Sequence, residues 1–161
     1  MEKILISRCL LGDPVRYDGQ GKALHHPLLQ RWQQQQRLIP ICPELAGGLP
    51  CPRPAAEVEQ GRGDLVLLQQ AEVRCGDGSD VSAAFIAGAK AALAQCQQHQ
   101  IHFALLKARS PSCGSRNGYD GSFSGQLSDD AIGVTAALLV QNGIRVFDEE
   151  QLEQLAQALD D

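Results

Sequence analysis

No stretch of this chain approaches the roughly 20 apolar residues that a membrane span requires. Its amino terminus, Met1-Glu2-Lys3 followed by a short apolar run, is too brief for the apolar core of a signal peptide. A basic stripe is also missing. The 14 Lys and Arg stand against 19 Asp and Glu, for a net charge of −5, which argues against a broad phosphate-binding face and so against a nucleic-acid partner. There is no linker and no long repeat. No C-x-x-C pair occurs among the six cysteines, which argues against a zinc ribbon, a thioredoxin-like redox pair and a ferredoxin-type ligand run. These absences predict a cytoplasmic protein, in a reducing compartment where six cysteines do not form a disulfide framework. Metal binding, catalysis or plain burial must explain them.

What is present suits a single α/β domain over residues 1–161. A chain of this length buries roughly 70% of its unfolded surface and needs no staple to fold. Residues 3–8 read as a buried strand from their apolar, β-branched run. A loop rich in Gly and Asp covers 12–22, and a helix is expected from about His26 to Gln36, with Gln33–Gln36 on its solvated face. Leu38–Ile41 is the second strand. Pro43 through Pro50 cannot continue it, because prolines lack ladder donors and glycines favour turns. Residues 64–75 suggest a strand or hairpin around Leu65-Val66-Leu67-Leu68, closed by a Gly76-Asp77-Gly78 turn.

Further on, Asp80 is placed to cap a helix. In it Phe85, Ala89, Ala92, Leu93 and Cys96 make one apolar stripe. A strand over Ile101–Lys107, a glycine-rich loop over 110–125, a helix near 130–142 and a short strand Ile144–Phe147 follow. Asp148 with Gln151 three residues on, and Phe147 with Leu152, form the capping signature of a last helix that buries Leu152, Leu155 and Leu159. Strands separated by helices predict a mostly parallel sheet flanked by helices. One internal echo stands out, Tyr17-Asp18-Gly19 against Tyr119-Asp120-Gly121. It reads as shared Asp-Gly turn chemistry and not as internal symmetry.

Cys9, Cys42 and Cys113 each follow a strand-like run and open an irregular loop. In a parallel sheet such positions gather at the edge where α/β proteins bind ligands. Three thiolates there can hold three corners of a cubane iron–sulfur cluster and leave one iron open. A three-cysteine zinc site, or one reactive thiol with the others merely buried, remains open at this point. Cys96, on a helix stripe, reads as a small buried hydrophobe, and Cys75 as a strand-end thiol. Cys51, nine residues after Cys42 in the same loop, is a possible fourth ligand. Glu44 sits two residues after Cys42, where partial desolvation raises a carboxyl pKa toward the range useful for proton transfer. Ser110 precedes a proline and either donates to a substrate oxygen or caps a turn. Arg16, Arg53, Lys107 and Arg109 are available to offset charge.

Four separated motifs resemble the thiouracil desulfidase family, a group of iron–sulfur desulfidases many of whose members were long described only as a bacterial domain of unknown function. They are Ser7-Arg8-Cys9-Leu10-Leu11-Gly12, Arg16-Tyr17-Asp18-Gly19, Cys42 through Pro50 with Pro52-Arg53-Pro54, and Lys107 through Gly114. The resemblance runs from about residue 3 to residue 147. It implies a Rossmann-like fold and a [4Fe–4S] cluster bound by Cys9, Cys42 and Cys113 with one iron open. It also implies a catalytic acid at Glu44 and an active-site serine at Ser110. Cys51 falls where relatives are expected to carry another residue.

The reaction so implied is non-redox desulfuration of a small thiolated nucleobase such as 2-thiouracil to the oxo base, with release of hydrogen sulfide. The alternative is a non-catalytic iron–sulfur or zinc module, or redox sensor, using the same three cysteines. A phosphatase-like loop with Cys9 as nucleophile fits poorly, since Pro14 removes a backbone donor between Cys9 and Arg16. No oligomeric state follows from the pattern.

Overall fold

A computed structural model describes all 161 residues. Eight strands run in chain order: β1 Ile4–Ser7, β2 Leu38–Ile41, β3 Ala56–Val58, β4 Val73–Cys75, β5 Phe103–Leu105, β6 Gly118–Tyr119, β7 Leu127–Ser128 and β8 Arg145–Phe147. The helices are α1 Pro27–Gln34, α2 Pro43–Ala46, α3 Gly63–Leu67, α4 Ser82–His99, α5 Val134–Gln141 and α6 Leu152–Asp160. The central sheet is wholly parallel, in the order β2-β1-β5-β8. This is the parallel α/β arrangement that the alternation of strands and helices predicts, and the Rossmann-like fold that the resemblance implies.

Strand β1 is buried on both faces, as a central parallel strand must be. Ile4 and Ile6 pack with Leu29 and Trp32 of α1 and Leu155 of α6, whereas Leu5 packs with Ala92 and Cys96 of α4 and Leu139 of α5. The period-2 alternation of side chains thus sends two helices to each face. Strand β2 tolerates Pro40 because it lies at the sheet edge, where one row of backbone donors has no partner to lose. No helix is long and apolar enough to cross a membrane.

Several expected boundaries stand within a residue or two. His26 caps α1, its Nδ1 accepting from Leu28 N at 3.1 Å. Asp80 accepts from Ser82 N at 2.9 Å at the start of α4. Gln151 Oε1 accepts from Asp148 N at 3.2 Å ahead of α6.

One expectation is overturned: Leu65-Val66-Leu67-Leu68 is not a strand, because residues 63–67 form α3. An unbroken apolar run fits either period, and here tertiary packing decides. Gly63 lies so close to the Ile132-Gly133 backbone that a Cβ there would come within 2.5 Å of the Ile132 oxygen. Val66 then fills a core with Val58, Val73, Phe85 and Val134. The strand of this region comes later, as β4, paired antiparallel with β3. The β6–β7 pair and the one-turn α2 were also not foreseen.

Candidate active site

The three strand-end cysteines meet at one cavity. Cys9 sits in a single 3-10 turn, Arg8–Leu11, that follows β1 and ends on Gly12 at φ +95°. Cys42 is the N-cap of α2, with Pro43 in the first helical position. Cys113 lies in the turn that follows the 107–110 segment after β5. All three line a cavity of about 500 Å³, together with Glu44, Arg53 and Ser110. The chain leaves β1 for β2 on one side and later enters β5 on the other, so the cavity opens outside the strand ends where the order reverses.

Burial dominates the chemistry of these thiols. Cys9 and Cys113 are 7% and 5% exposed. Desolvation pushes Cys113 up to about 12 and Cys9 up to about 11, with the Lys107 and Arg16 charges pulling Cys9 the other way. Ser7, buried at the end of β1, donates to Cys113 Sγ at 3.6 Å and accepts from Lys107 N at 3.0 Å. It therefore ties β1, the β5 loop and one thiol together. Cys42 Sγ lies 3.8 Å from the Val15 carbonyl. A metal centre that takes these sulfurs as thiolates displaces their protons on binding.

Glu44 projects from the first turn of α2 and forms a 2.6 Å ion pair with Arg53 Nε. Both side chains are largely withdrawn from water, at 13% and 5% exposure. Burial pushes the Glu44 carboxyl up, against the opposing pull of the Arg53 guanidinium. Arg53 is itself fixed by its backbone, which donates to Tyr17 O at 2.7 Å. Ser110 Oγ accepts from Ser112 N and Cys113 N, each at 3.1 Å. It therefore caps the turn that carries Cys113, and its own hydroxyl proton stays available to the cavity it lines.

Lys107 pairs with Glu149 at 2.9 Å, and Glu149 also accepts from Ala108 N at 2.7 Å. Arg109 pairs with Glu150 at 2.8 Å. Arg16 lines the cavity with its guanidinium over the Tyr17 ring. Cys51 is exposed, near the Pro14 and Arg16 carbonyls, and is not among the residues lining the cavity. Cys75 and Cys96 are buried and do not line the cavity, although Cys96 packs in the same core cluster as Cys113. Sequence reasoning did not single out Ser7 or Glu149. Ser7 was legible only as part of a motif, and Glu149 follows a strand on the far side of β5 with no local signal.

The donor set fits a polynuclear iron–sulfur centre. Thiolates are the soft ligands that such clusters use, and three independent loops deliver them to one roomy cavity. Cys9, Cys42 and Cys113 are the residues that would hold the cluster, with Glu44 and Ser110 at its side.

A Rossmann-like sheet with three thiols and a buried acid at its carboxyl edge fits the class of α/β metalloenzymes. Within that class the chain belongs to the 2-thiouracil desulfurase family, whose profile matches residues 4–151. It is 38% identical over 152 residues to the uncharacterized protein YbbK of Bacillus subtilis strain 168, covering 94% of this chain and 99% of that one. It also matches a solved structure of the [4Fe-4S]-dependent thiouracil desulfidase TudS. The TM-score is 0.90 with 48% identity, over 99% of both chains.

Proposed function

We propose that this protein is a [4Fe–4S]-dependent desulfidase that converts a 2-thiouracil-like base and water into the oxo base and hydrogen sulfide, with no net redox change. The observation that carries this reading is the delivery of three thiols from separate strand-end loops to one cavity that also holds the Glu44–Arg53 pair. Cys9, Cys42 and Cys113 would hold the cluster, which would supply Lewis acidity toward a soft thiocarbonyl sulfur. Glu44 accepts a proton from the attacking water and passes it on to the departing sulfur. Arg53 holds that carboxylate in place and keeps part of its charge neutralised. Ser110, fixed by its two backbone donors, directs its hydroxyl toward the substrate ring or the water.

The substrate is a small free thiolated base, in keeping with the acidic chain and its lack of a basic stripe. Six free thiols suit action in the reducing cytoplasm.

The test is anaerobic reconstitution, followed by iron and acid-labile sulfide analysis and a sulfide-release assay with 2-thiouracil. About four irons per chain, the content of one [4Fe–4S] cluster, with sustained sulfide release is the expected result. Glu44→Ala keeps iron and visible absorption, and turnover falls by roughly 10²-fold or more, as for loss of a general base. A single tightly bound zinc, or a cluster with no turnover on any thiolated base, would overturn the reading. Loss of iron along with activity in Glu44→Ala would move Glu44 from chemistry to structure.

A further inference from the structure

The Tyr-Asp-Gly echo has a structural counterpart. Asp18 Oδ1 accepts from Gln20 N at 3.0 Å, and Asp120 Oδ1 accepts from Ser122 N at 2.9 Å. Both are aspartate turns of the same kind. The glycine that follows each is left-handed, Gly19 at φ +76° and Gly121 at φ +92°. At Gly121 a Cβ would also come within 2.7 Å of the Val58 oxygen, so that turn admits no side chain. The same local device thus sets one tyrosine in the loop after Cys9 and the other beyond Cys113.

The chain has only two tyrosines, and both line the catalytic cavity. They come from different loops. Each tyrosine is left partly open to solvent, at 43% and 42% exposure of the residue, although folding favours covering such surface. The Arg16 guanidinium lies over the Tyr17 ring, 5.9 Å from its centroid, and braces it. None of the chemistry assigned above to Glu44, Ser110 or the three cysteines uses either ring.

Resting on the desulfidase reading, we propose that Tyr17 and Tyr119 form an aromatic clamp that recognises the flat face of the substrate ring and discriminates against non-planar thiones. Stacking on an aromatic side chain is indifferent to ring substituents and sensitive to planarity. The clamp therefore selects 2-thiouracil over a puckered analogue with the same thiocarbonyl and the same hydrogen-bonding edge. Its two residues act in binding and do not touch the C–S bond.

The experiment compares native holoenzyme with Tyr17→Leu, Tyr119→Leu and the corresponding Phe variants on two substrates, 2-thiouracil and 5,6-dihydro-2-thiouracil. Uracil binding is measured in parallel by equilibrium dialysis. Each Leu variant is expected to raise KM for 2-thiouracil and weaken uracil binding by about tenfold, with a smaller change in kcat. The kcat/KM ratio of the planar over the puckered substrate falls toward one. The Phe variants, which keep the ring, recover most of the lost binding. Unchanged KM, uracil affinity and substrate ratio in both Leu variants would overturn the clamp. Phe variants as impaired as Leu would also overturn it and assign the effect to the phenol hydroxyl. Native enzyme that releases no sulfide from 2-thiouracil would instead count against the desulfidase reading, which the same assay reads separately.

Discussion

Individual thiols in this fold do different work according to what surrounds them. Cys9 and Cys113 are buried beside a cavity, next to Lys107 and Ser7. Cys96 is buried among Leu5, Ala92, Ile101 and Leu139 with nothing polar to answer it, and burial pushes its thiol up to about 11. An unfolded cysteine titrates near 8.5. Between those values the unfolded chain has released the proton that the folded chain still holds, so stability falls as pH rises. Below about 8.5 the contribution is fully present.

With Cys9 and Cys113 taken up as cluster ligands, as proposed above, Cys96 is left as a main source of this alkaline slope. Native holoprotein should lose about 1 kcal/mol more stability between pH 7.5 and 9.5 than Cys96→Ala does, measured by urea unfolding at both pH values. Equal slopes would show that the folded protein does not hold this thiol neutral.

At the scale of elements, α2 is the piece on which the site depends. It is a single turn, too short to persist alone, yet it carries Glu44 and is capped by Cys42. Two glycines dock it on α4 by backbone contact. A Cβ on Gly88 would lie 2.0 Å from the Pro43 oxygen, and one on Gly47 would lie 2.0 Å from the Ala84 oxygen. Within a long helix, Gly to Ala ordinarily stabilises by up to about 1 kcal/mol. Gly88→Ala should do the reverse. It should destabilise by about 1–3 kcal/mol, as overpacking does, and displace Pro43 together with its neighbours. Thermal unfolding checks the first effect, and iron retained per chain with sulfide release checks the second. A stabilised, fully loaded Gly88→Ala protein would mean that α2 does not rest on α4 as described.

The same pair of elements shows what the sequence made legible and what it did not. The stripe Phe85, Ala89, Ala92, Cys96 pointed to the buried face of α4, because residues of apolar type at helical spacing announce themselves. Gly88 is buried with them, but it has no side chain and its reason lies in Pro43, 45 residues earlier. Parallel strands were legible from their apolar runs, and the strand-end cysteines from their place after those runs. Residues 65–68 were not, since an unbroken Leu-Val-Leu-Leu run carries no period. Glu44 was legible from its distance to Cys42, whereas the ion pair that holds it depends on a loop folding back to bring Arg53 alongside.

Across the whole molecule, the last strand supports a site to which it contributes no lining residue. Directly after β8, three consecutive acids reach back to the segment that bears Ser110 and Cys113. Asp148, 1% exposed, takes Arg116 in a two-point bond at 2.8 and 3.0 Å. Glu149 takes Lys107 and the Ala108 amide, and Glu150 takes Arg109. The sheet order places β8 beside β5, so these carboxylates stand next to the outgoing β5 chain and fix its course. This region separates two kinds of charge by exposure. The Lys107–Glu149 pair is 13% and 15% exposed, whereas Arg109 and Glu150 are 37% and 52% exposed. Removing one partner of a shielded pair strands the other and orphans a backbone donor, and removing a solvated partner leaves the other to water.

Glu149→Ala should therefore cost about 3 kcal/mol, and Glu150→Ala no more than about 0.5 kcal/mol. Only the former should loosen the loop enough to lower cluster retention during gel filtration. Denaturant midpoints and iron content of the two variants, taken side by side, test this. Equal losses from both would show that the acid triplet acts as general surface charge and that Glu149 has no special hold on the site.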